Sequence, residues 1–369
     1  MPSSASMDHT EALIVQAQAM RQAIARIIVG TGASETEAHQ VAHNLVLANL
    51  KGHDSHGVGM VPRYVDAFLE GGLQVNREPS IRVDSGPMLG IDGQYGFGQS
   101  IGEAAMRLAI ERAQQHGVCV MGLGQVHHLG RIGHWAEQAV ESGLVSLHFV
   151  NVLARPLVAP WAGAASRFGT NPCCIGIPLR NAPPIILDYA TSVVAQGKMR
   201  VAHNKGERVR EGMLIDPQGH PTTDPSVVVV EPLGALLTFG EYKGFGMALA
   251  CELLGGALSG GGTCHKEIHG QRRVYNGMLS ILIDPQRLDR EDCFFRESDA
   301  FMEWLRSVPV APGFDKLRVA GEPEREAMQQ REREGFAIDP ATWQEILVAA
   351  EKLGVPRKDV EMTALASVV

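Results

Sequence analysis

The sequence contains no GxGxxG turn and no GxxxxGK followed by Ser or Thr, so neither a Rossmann dinucleotide turn nor a phosphate-binding P-loop is supported. It also lacks HExxH and GxSxG, which removes the common zinc-protease and nucleophile-elbow hydrolase chemistries. Its six cysteines (Cys119, Cys173, Cys174, Cys251, Cys264 and Cys293) form no CxxC pair and no zinc-ligand spacing. In their mostly apolar surroundings they read as buried, reduced thiols of a cytoplasmic protein. The opening residues, MPSSASMDHTEA, have no basic stretch leading into an apolar core, and no apolar run approaches bilayer length. Neither export nor membrane anchoring is expected. Aromatic residues make up only 5% of the chain, and no block of like charge marks a disordered tail. A net charge of -8 and a pI near 6.0 argue against nucleic acid or an anionic membrane as the main partner.

What the chain does have is length for two or three domains, 369 residues at 45% hydrophobic. Apolar residues at three- and four-residue spacing predict helices from His9 to Val29 and from Ser34 to Lys51, the second opened by a Ser34/Glu37 capping box. A short helix is expected over Pro62–Glu70. Strand-like patterning follows from Ser80 to Asp92, then a long helix from Gln99 to His116, a buried strand from Val118 to Leu123, a helix from His134 to Ser142 and a strand from Leu144 to Val150. This order points to a sheet with covering helices. Residues 154–184 read as irregular, Ile185–Asp188 as a strand ending on an acid, and Ala190–Ala202 as a helix. Lys205–Pro232 reads as loop-rich surface. Tyr242–Ser259 reads as one apolar helix buried on most faces, followed by a flexible Gly260–Gly262 loop, a strand at Gly277–Ile283, and helices at Ser298–Ser307, Pro323–Gly335 and Pro340–Leu353. The mixed charges of Glu322–Glu334 read as a solvated helix face.

The densest chemistry lies in Gly52–Tyr64, GHDSHGVGMVPRY. A catalytic histidine needs a partner that fixes its tautomer, a backbone that lets substrate approach, and rigid flanks. Ser55 and Asp54 are short polar neighbours of His56, Gly57 and Gly59 allow close approach, and Pro62 suits the first turn of a following helix. A polar helix-to-helix loop with two solvated histidines accounts for the same composition. A metal site from His53, His56 and His127 has weak support, because zinc sites show tighter ligand spacing, and no metal is expected. A proton donor (His56), an acid at a strand end (Asp188), the hydroxyl and amide of Thr170 and Asn171, and the glycine-rich loop Gly130–Gly133 suffice to reduce a carbonyl, given hydride from a bound cofactor.

The motifs GHDSHG, VHHLGRIG, RFGTNP, LDYATSVVAQGK, YKGFGMALACELLGGALSGG and AGEPE, in that order from about Ala12 to Leu353, resemble the type-2 malate/L-lactate dehydrogenase family of NAD(P)-dependent oxidoreductases. The chain looks most like the subgroup that acts on hydroxycarboxylates, aromatic ones included, with NADH. The resemblance implies a mixed α/β fold in which a non-Rossmann mixed β-sheet domain holds the cofactor (residues 79–300). A helical N-terminal part carrying the SHG loop (1–78) and a helical C-terminal part (301–369) complete a homodimeric enzyme. It implies His56 as proton donor, with Ser55 and Asp188 as relay partners, and Thr170 at the substrate, with Asn171, Met60 and Arg63 as further substrate candidates. It places the cofactor, NAD with NADP as the alternative, along His56, Gly130, Arg131, Ile132, Ile186, Leu187, Asp188, Tyr189, Ala190, Tyr242, Lys243, Asn276, Gly321, Glu322, Pro323 and Glu324.

Two positions depart from the family pattern. Many relatives carry an arginine four residues after the SHG histidine, where this chain has Met60, so Arg63, Arg155 or Arg167, or backbone donors and hydroxyls, must hold the substrate carboxylate. The thioether also leaves an apolar wall suited to a larger or aromatic 2-oxo acid. Tyr242 replaces the histidine that the similar subgroup has before its KG pair. An NADPH-dependent cyclic imino acid reductase and a malate/lactate-type dehydrogenase are the alternatives within the class. A non-catalytic binder of a small acid or nucleotide is the alternative outside it.

Overall fold

The computed structural model describes residues 12–265, 273–289 and 291–366. The start of the expected first helix, His9–Glu11, and the opening segment read for a leader lie largely outside them. The chain divides into two units, one of residues 1–76 with 323–369 and the other of residues 77–322.

The first unit opens with a short strand, β1 (Leu13–Val15), in place of the early part of the expected helix, which starts as α1 only at Ala17 (Ala17–Val29). Helix α2 (Glu35–Leu50) begins as the capping box predicts, with Ser34 Oγ accepting from Glu37 N at 3.2 Å. Two 3₁₀ turns, Asp54–His56 and Val58–Met60, carry the chain into α3 (Val61–Leu69), which has Pro62 in its first turn.

The second unit contains β2 (Ser80–Ser85), β3 (Met88–Asp92), α4 (Gly98–His116), β4 (Val118–His127), α5 (Gly133–Glu141), β5 (Val145–Leu153), β6 (Cys173–Ile177) and β7 (Ile185–Tyr189). It continues with α6 (Gln196–Asn204), the two-residue strands β8 (Leu214–Ile215), β9 (Pro221–Thr222) and β10 (Ala235–Leu236), then α7 (Tyr242–Cys251), β11 (Tyr275–Ile283), α8 (Pro285–Leu288) and α9 (Cys293–Arg306). Helix α9 runs through residue 300, where the sequence placed a domain boundary. The C-terminal part of the first unit then supplies α10 (Glu322–Glu334), β12 (Phe336–Ile338), α11 (Pro340–Lys352) and α12 (Arg357–Ala364). Strand β12 pairs antiparallel with β1, and α11 and α12 pack on α3 and α1, so residues 13–69 and 336–364 build this unit together.

A seven-stranded sheet in the order β2-β3-β4-β11-β5-β6-β7 is the frame of the second unit. Only β3 and β4 run parallel, so the sheet is mixed and differs from the all-parallel doubly wound pattern. Directly paired residues share a face, and one such row crosses six strands: Leu89, Met121, Ser280, His148, Cys174 and Asp188. Its inner members are buried against α4 and α5, and the row ends on Asp188 at the sheet edge.

Several expectations are corrected here. Residues 154–184 include β6, an inner strand. Helix α6 begins at Gln196 instead of Ala190, because Thr191 Oγ1 donates to the carbonyls of Thr170 and Asn171 and Ser192 bridges Thr238. The helix expected over Tyr242–Ser259 changes at Glu252 to wider π-type turns through Leu258. There a Cβ on Gly255 would stand 2.6 Å from Phe149 O, so the chain lies directly on β5. This segment is not buried on most faces, since Tyr242, Leu249, Leu253 and Leu258 are exposed. The Gly260–Gly262 run is tied down by Asn151 Nδ2, which donates to Gly262 O.

Candidate active site

In the second unit, the expected cofactor segments gather on β7. Asp188 Oδ2 accepts from Gly133 N at 2.7 Å, which brings the Gly130–Gly133 loop to the strand. Gly130 adopts φ +74°, a left-handed conformation that a side chain would strain. On the outer edge of β7, Ile186 N donates to Ala320 O, which sets Gly321 and Glu322 beside the strand. Glu322 is held there by Arg306 Nη2 at 2.5 Å and by Val319 N. Past the end of β7, the Tyr189 ring meets Phe239 edge-on at 5.6 Å and Phe239 N donates to Thr191 O. The turn that starts α7 with Tyr242 and Lys243 is thereby placed next to Ala190. Thr170 and Asn171 join through the Thr191 hydroxyl.

Not every expected contact residue faces outward. Asn276 is buried, with Oδ1 accepting from Leu129 N and Nδ2 donating to Asn151 O, both at 2.8 Å. Its amide fixes the loop before Gly130. Ile132 and Ile186 belong to the core, which leaves their main chain as the part able to meet a ligand, and Arg131 is also buried. Asn171 is buried too: Nδ2 donates to Glu252 Oε2 at 2.7 Å, and Oδ1 accepts from Val152 N. Glu252 in turn accepts from Cys264 N. Beside it lies a cleft of about 460 Å³ lined by Pro156, Ser166, Arg167, Glu252, Thr263, Cys264 and His265.

In the first unit, the SHG loop is fastened from below. Asn49, in the last turn of α2, donates to Asp54 Oδ1 at 2.7 Å and accepts from Val58 N at 2.8 Å. Gly57 is obligatory there, because a Cβ would fall 2.1 Å from Asn49 Oδ1. Arg331 of α10 grips both carboxylate oxygens of Asp54, at 2.7 and 3.1 Å, and also donates to Asn49 O. Ser55 Oγ sits 3.0 Å from His56 Nδ1. His53 Nε2 lies 3.3 Å from Glu324 Oε1, so the acid of the AGEPE motif reaches this loop. Met60 is half-buried ahead of α3, and Arg63 is exposed on that helix.

Sequence reasoning missed Asn49, Arg331, Asn151 and Glu137, whose Oε2 accepts from the buried Arg131 Nη2. Asn49 carried a signal, a polar residue in an otherwise apolar last turn before the loop. Arg331 carried none, since it stands 277 residues from its partner Asp54.

Most of the chain matches known proteins. The family model for malate/L-lactate dehydrogenase aligns with residues 15–347. The chain belongs to the malate/L-lactate dehydrogenase family. Hydroxycarboxylate dehydrogenase B of Escherichia coli (strain K12) is 44% identical over 348 residues, 94% of this chain and 96% of that one. The solved sulfolactate dehydrogenase of Methanocaldococcus jannaschii superposes with a TM-score of 0.84 at 31% identity, covering 94% of this chain and 99% of that one. The solved delta1-piperideine-2-carboxylate reductase of Pseudomonas syringae pvar. tomato gives 0.81 at 28% identity, covering 91% and 99%. The protein is therefore an oxidoreductase of hydroxy acids, and membership of this dehydrogenase family implies a nicotinamide cofactor. The segments on β7 fit such a group. Glycines at 130 and 321 open the main chain, and exposed Tyr242 beside Lys243 offers an aromatic face and a cation. No described helix is long and apolar enough to cross a membrane, and the described cysteines are free thiols, four of them buried.

Proposed function

We propose that this family member interconverts a 2-hydroxy acid and its 2-oxo acid with NAD(H), and that its substrate carries a larger or aromatic side chain. The observation that carries the reading is Met60, half-buried where many relatives hold a carboxylate-binding arginine. An uncharged, flexible thioether favours bulk and disfavours a small dicarboxylate. Of the arginines that could grip the substrate carboxylate, Arg155 pairs with Glu231 at 3.3 Å, whereas Arg167 lines the cleft beside Asn171 and Glu252. Arg167 is the anchor this reading assigns, with Thr170 beside it and Arg63 as the second choice.

When bound, the nicotinamide supplies hydride to the substrate carbonyl. His56 gives the proton that the developing alkoxide requires. Ser55, 3.0 Å from Nδ1, fixes the ring, and the family resemblance adds Asp188 as the second relay partner. The main chain of the Gly130–Ile132 loop, together with Ile186–Ala190, Tyr242, Lys243 and Gly321–Glu324, holds the dinucleotide, with Asn276 supporting the loop from inside. The family resemblance adds a cytoplasmic homodimer to this reading.

A panel assay tests it. Purified protein should oxidise NADH with the highest kcat/KM on hydroxyphenylpyruvate or phenylpyruvate. A preference for oxaloacetate would contradict the substrate assignment, and faster NADPH oxidation with a cyclic imino acid would establish the reductase alternative. Thermal stabilisation by NADH without turnover on any of these acids would make the protein a binder.

A further inference from the structure

The Arg131 side chain is only 3% exposed, and its guanidinium is bonded to one carboxylate, Glu137, and lies near a second, Asp188. On one side, Nη2 donates to Glu137 Oε2 of α5 at 2.5 Å. On the other side, Nη1 and Asp188 Oδ2 flank the same atom-sized space. A Cβ added to Gly133 would fall 2.2 Å from Nη1 and 3.0 Å from Oδ2. Nη1 is buried with no hydrogen-bond partner in the protein. Burying a guanidinium is costly unless anionic groups compensate it; the bonded Glu137 and the nearby Asp188 carboxylate supply that compensation. A nucleotide phosphate needs an accessible cation with open donors, and this one is enclosed.

A second observation locates the same charges independently. Cys174 is paired across the strands with Asp188 and points to the same face. Its thiol is raised well above the ordinary range by burial first and then by Asp188, with Arg131 acting in the opposite direction and Glu137 adding to the rise. All three charged groups therefore act on the buried Cys174 thiol. Cys173 and Tyr189 are the neighbouring titratable groups of that strand pair, and Cys173 also feels Asp188.

We propose that Arg131 is a positioning residue for Asp188, holding its carboxylate ionised and oriented, and that it does not grip the cofactor. The consequence for catalysis rests on the role given to Asp188 above. The Gly133 N–H fixes one carboxylate oxygen, and the cation behind it disfavours protonation and rotation of the group. Glu137 keeps the guanidinium in place and balances its charge.

The test uses the full-length protein with Arg131→Met, Arg131→Lys and Asp188→Asn, and reads three quantities. Arg131→Met should leave the NADH dissociation constant within about threefold of wild type, lower kcat by roughly tenfold or more, and move the acid limb of the kcat pH profile to higher pH. Arg131→Lys should recover part of both kcat effects. In nucleotide-free protein, the destabilisation caused by Arg131→Met should shrink when Asp188 is already Asn, because the pair is coupled. If Arg131→Met fails to fold once its bond to Glu137 is lost, Arg131→Met combined with Glu137→Gln gives the same readings. Weakened NADH binding with an unshifted pH profile, or additive destabilisation in the nucleotide-free cycle, would overturn the proposal. Full turnover by Asp188→Asn would instead overturn the catalytic reading, while the nucleotide-free cycle still decides whether Arg131 holds Asp188.

Discussion

Asn276 Oδ1 accepts from Leu129 N across 147 residues of sequence, while its Nδ2 donates to Asn151 O. Asn151 passes the connection on through Gly262 O and Gly277 N. One buried amide thus couples β11, β5 and the loop that leads to Gly130. Removing it strands a buried backbone N–H and a buried carbonyl, which costs ~1–3 kcal/mol. Asn276→Ala should lower stability by that order in urea unfolding and raise KM for NADH. Unchanged stability would show that the loop does not depend on this amide.

Gly57→Ala tests the other half of the candidate site. The new methyl would fall on Asn49 Oδ1, which is already bonded to Val58 N, so Asn49 or the SHG loop must move. Overpacking of this kind costs ~1–3 kcal/mol, and turnover should fall further than stability does, because His56 sits next in sequence. Circular dichroism melting alongside kcat separates the two effects. Equal, small changes in both would argue against a precisely held loop.

Arg331→Ala should behave differently. Its bond to Asp54 is partly exposed, at 29% and 51% for the two side chains, so the pair contributes ~0–1 kcal/mol to stability. Its role is to orient the loop. A clear drop in kcat with nearly unchanged melting is expected, and a large loss of stability would assign Arg331 to the core of the first unit instead.

His148 gives the stability of the protein a pH dependence. Its ring is fully buried, with Nδ1 bonded to Ser280 Oγ at 2.8 Å, and desolvation pushes its pKa down to about 3 from the ordinary 6.5. The unfolded chain therefore binds the proton that the folded protein refuses, and stability falls as pH drops from 6.5 toward 3. In that window the slope from this group is about 1.4 kcal/mol per pH unit. Urea unfolding at several pH values should show His148→Gln with a shallower slope than wild type between pH 6 and pH 4. Equal slopes would mean that the buried ring is not the titrating group.

The alternation and periodicity of the sequence carry much of this fold. The Ser34 cap, the helices α2, α4, α5 and α11, and the central strands fall close to where spacing places them, because each buries one stripe or face locally. What could not be read depends on partners far along the chain. Strand β1 has only three residues and takes its identity from β12, more than 300 positions later. The turns at Glu252–Leu258 follow from Gly255 and Gly256 pressing on β5, a contact that no helical period encodes. At the site, the family likeness marked Arg131, Asn276 and Asp188 alike as cofactor contacts. Only burial and bonding separate a buried amide that ties down a loop, and a buried cation bonded to Glu137, from the strand acid at position 188.

The most direct test of the account is the rate of NADH oxidation with an aromatic 2-oxo acid by His56→Ala, in protein shown by fluorescence titration still to bind NADH. Loss of a general acid predicts a fall of ~100- to 10,000-fold. Turnover near that of wild type would remove His56 from the chemistry and contradict the account.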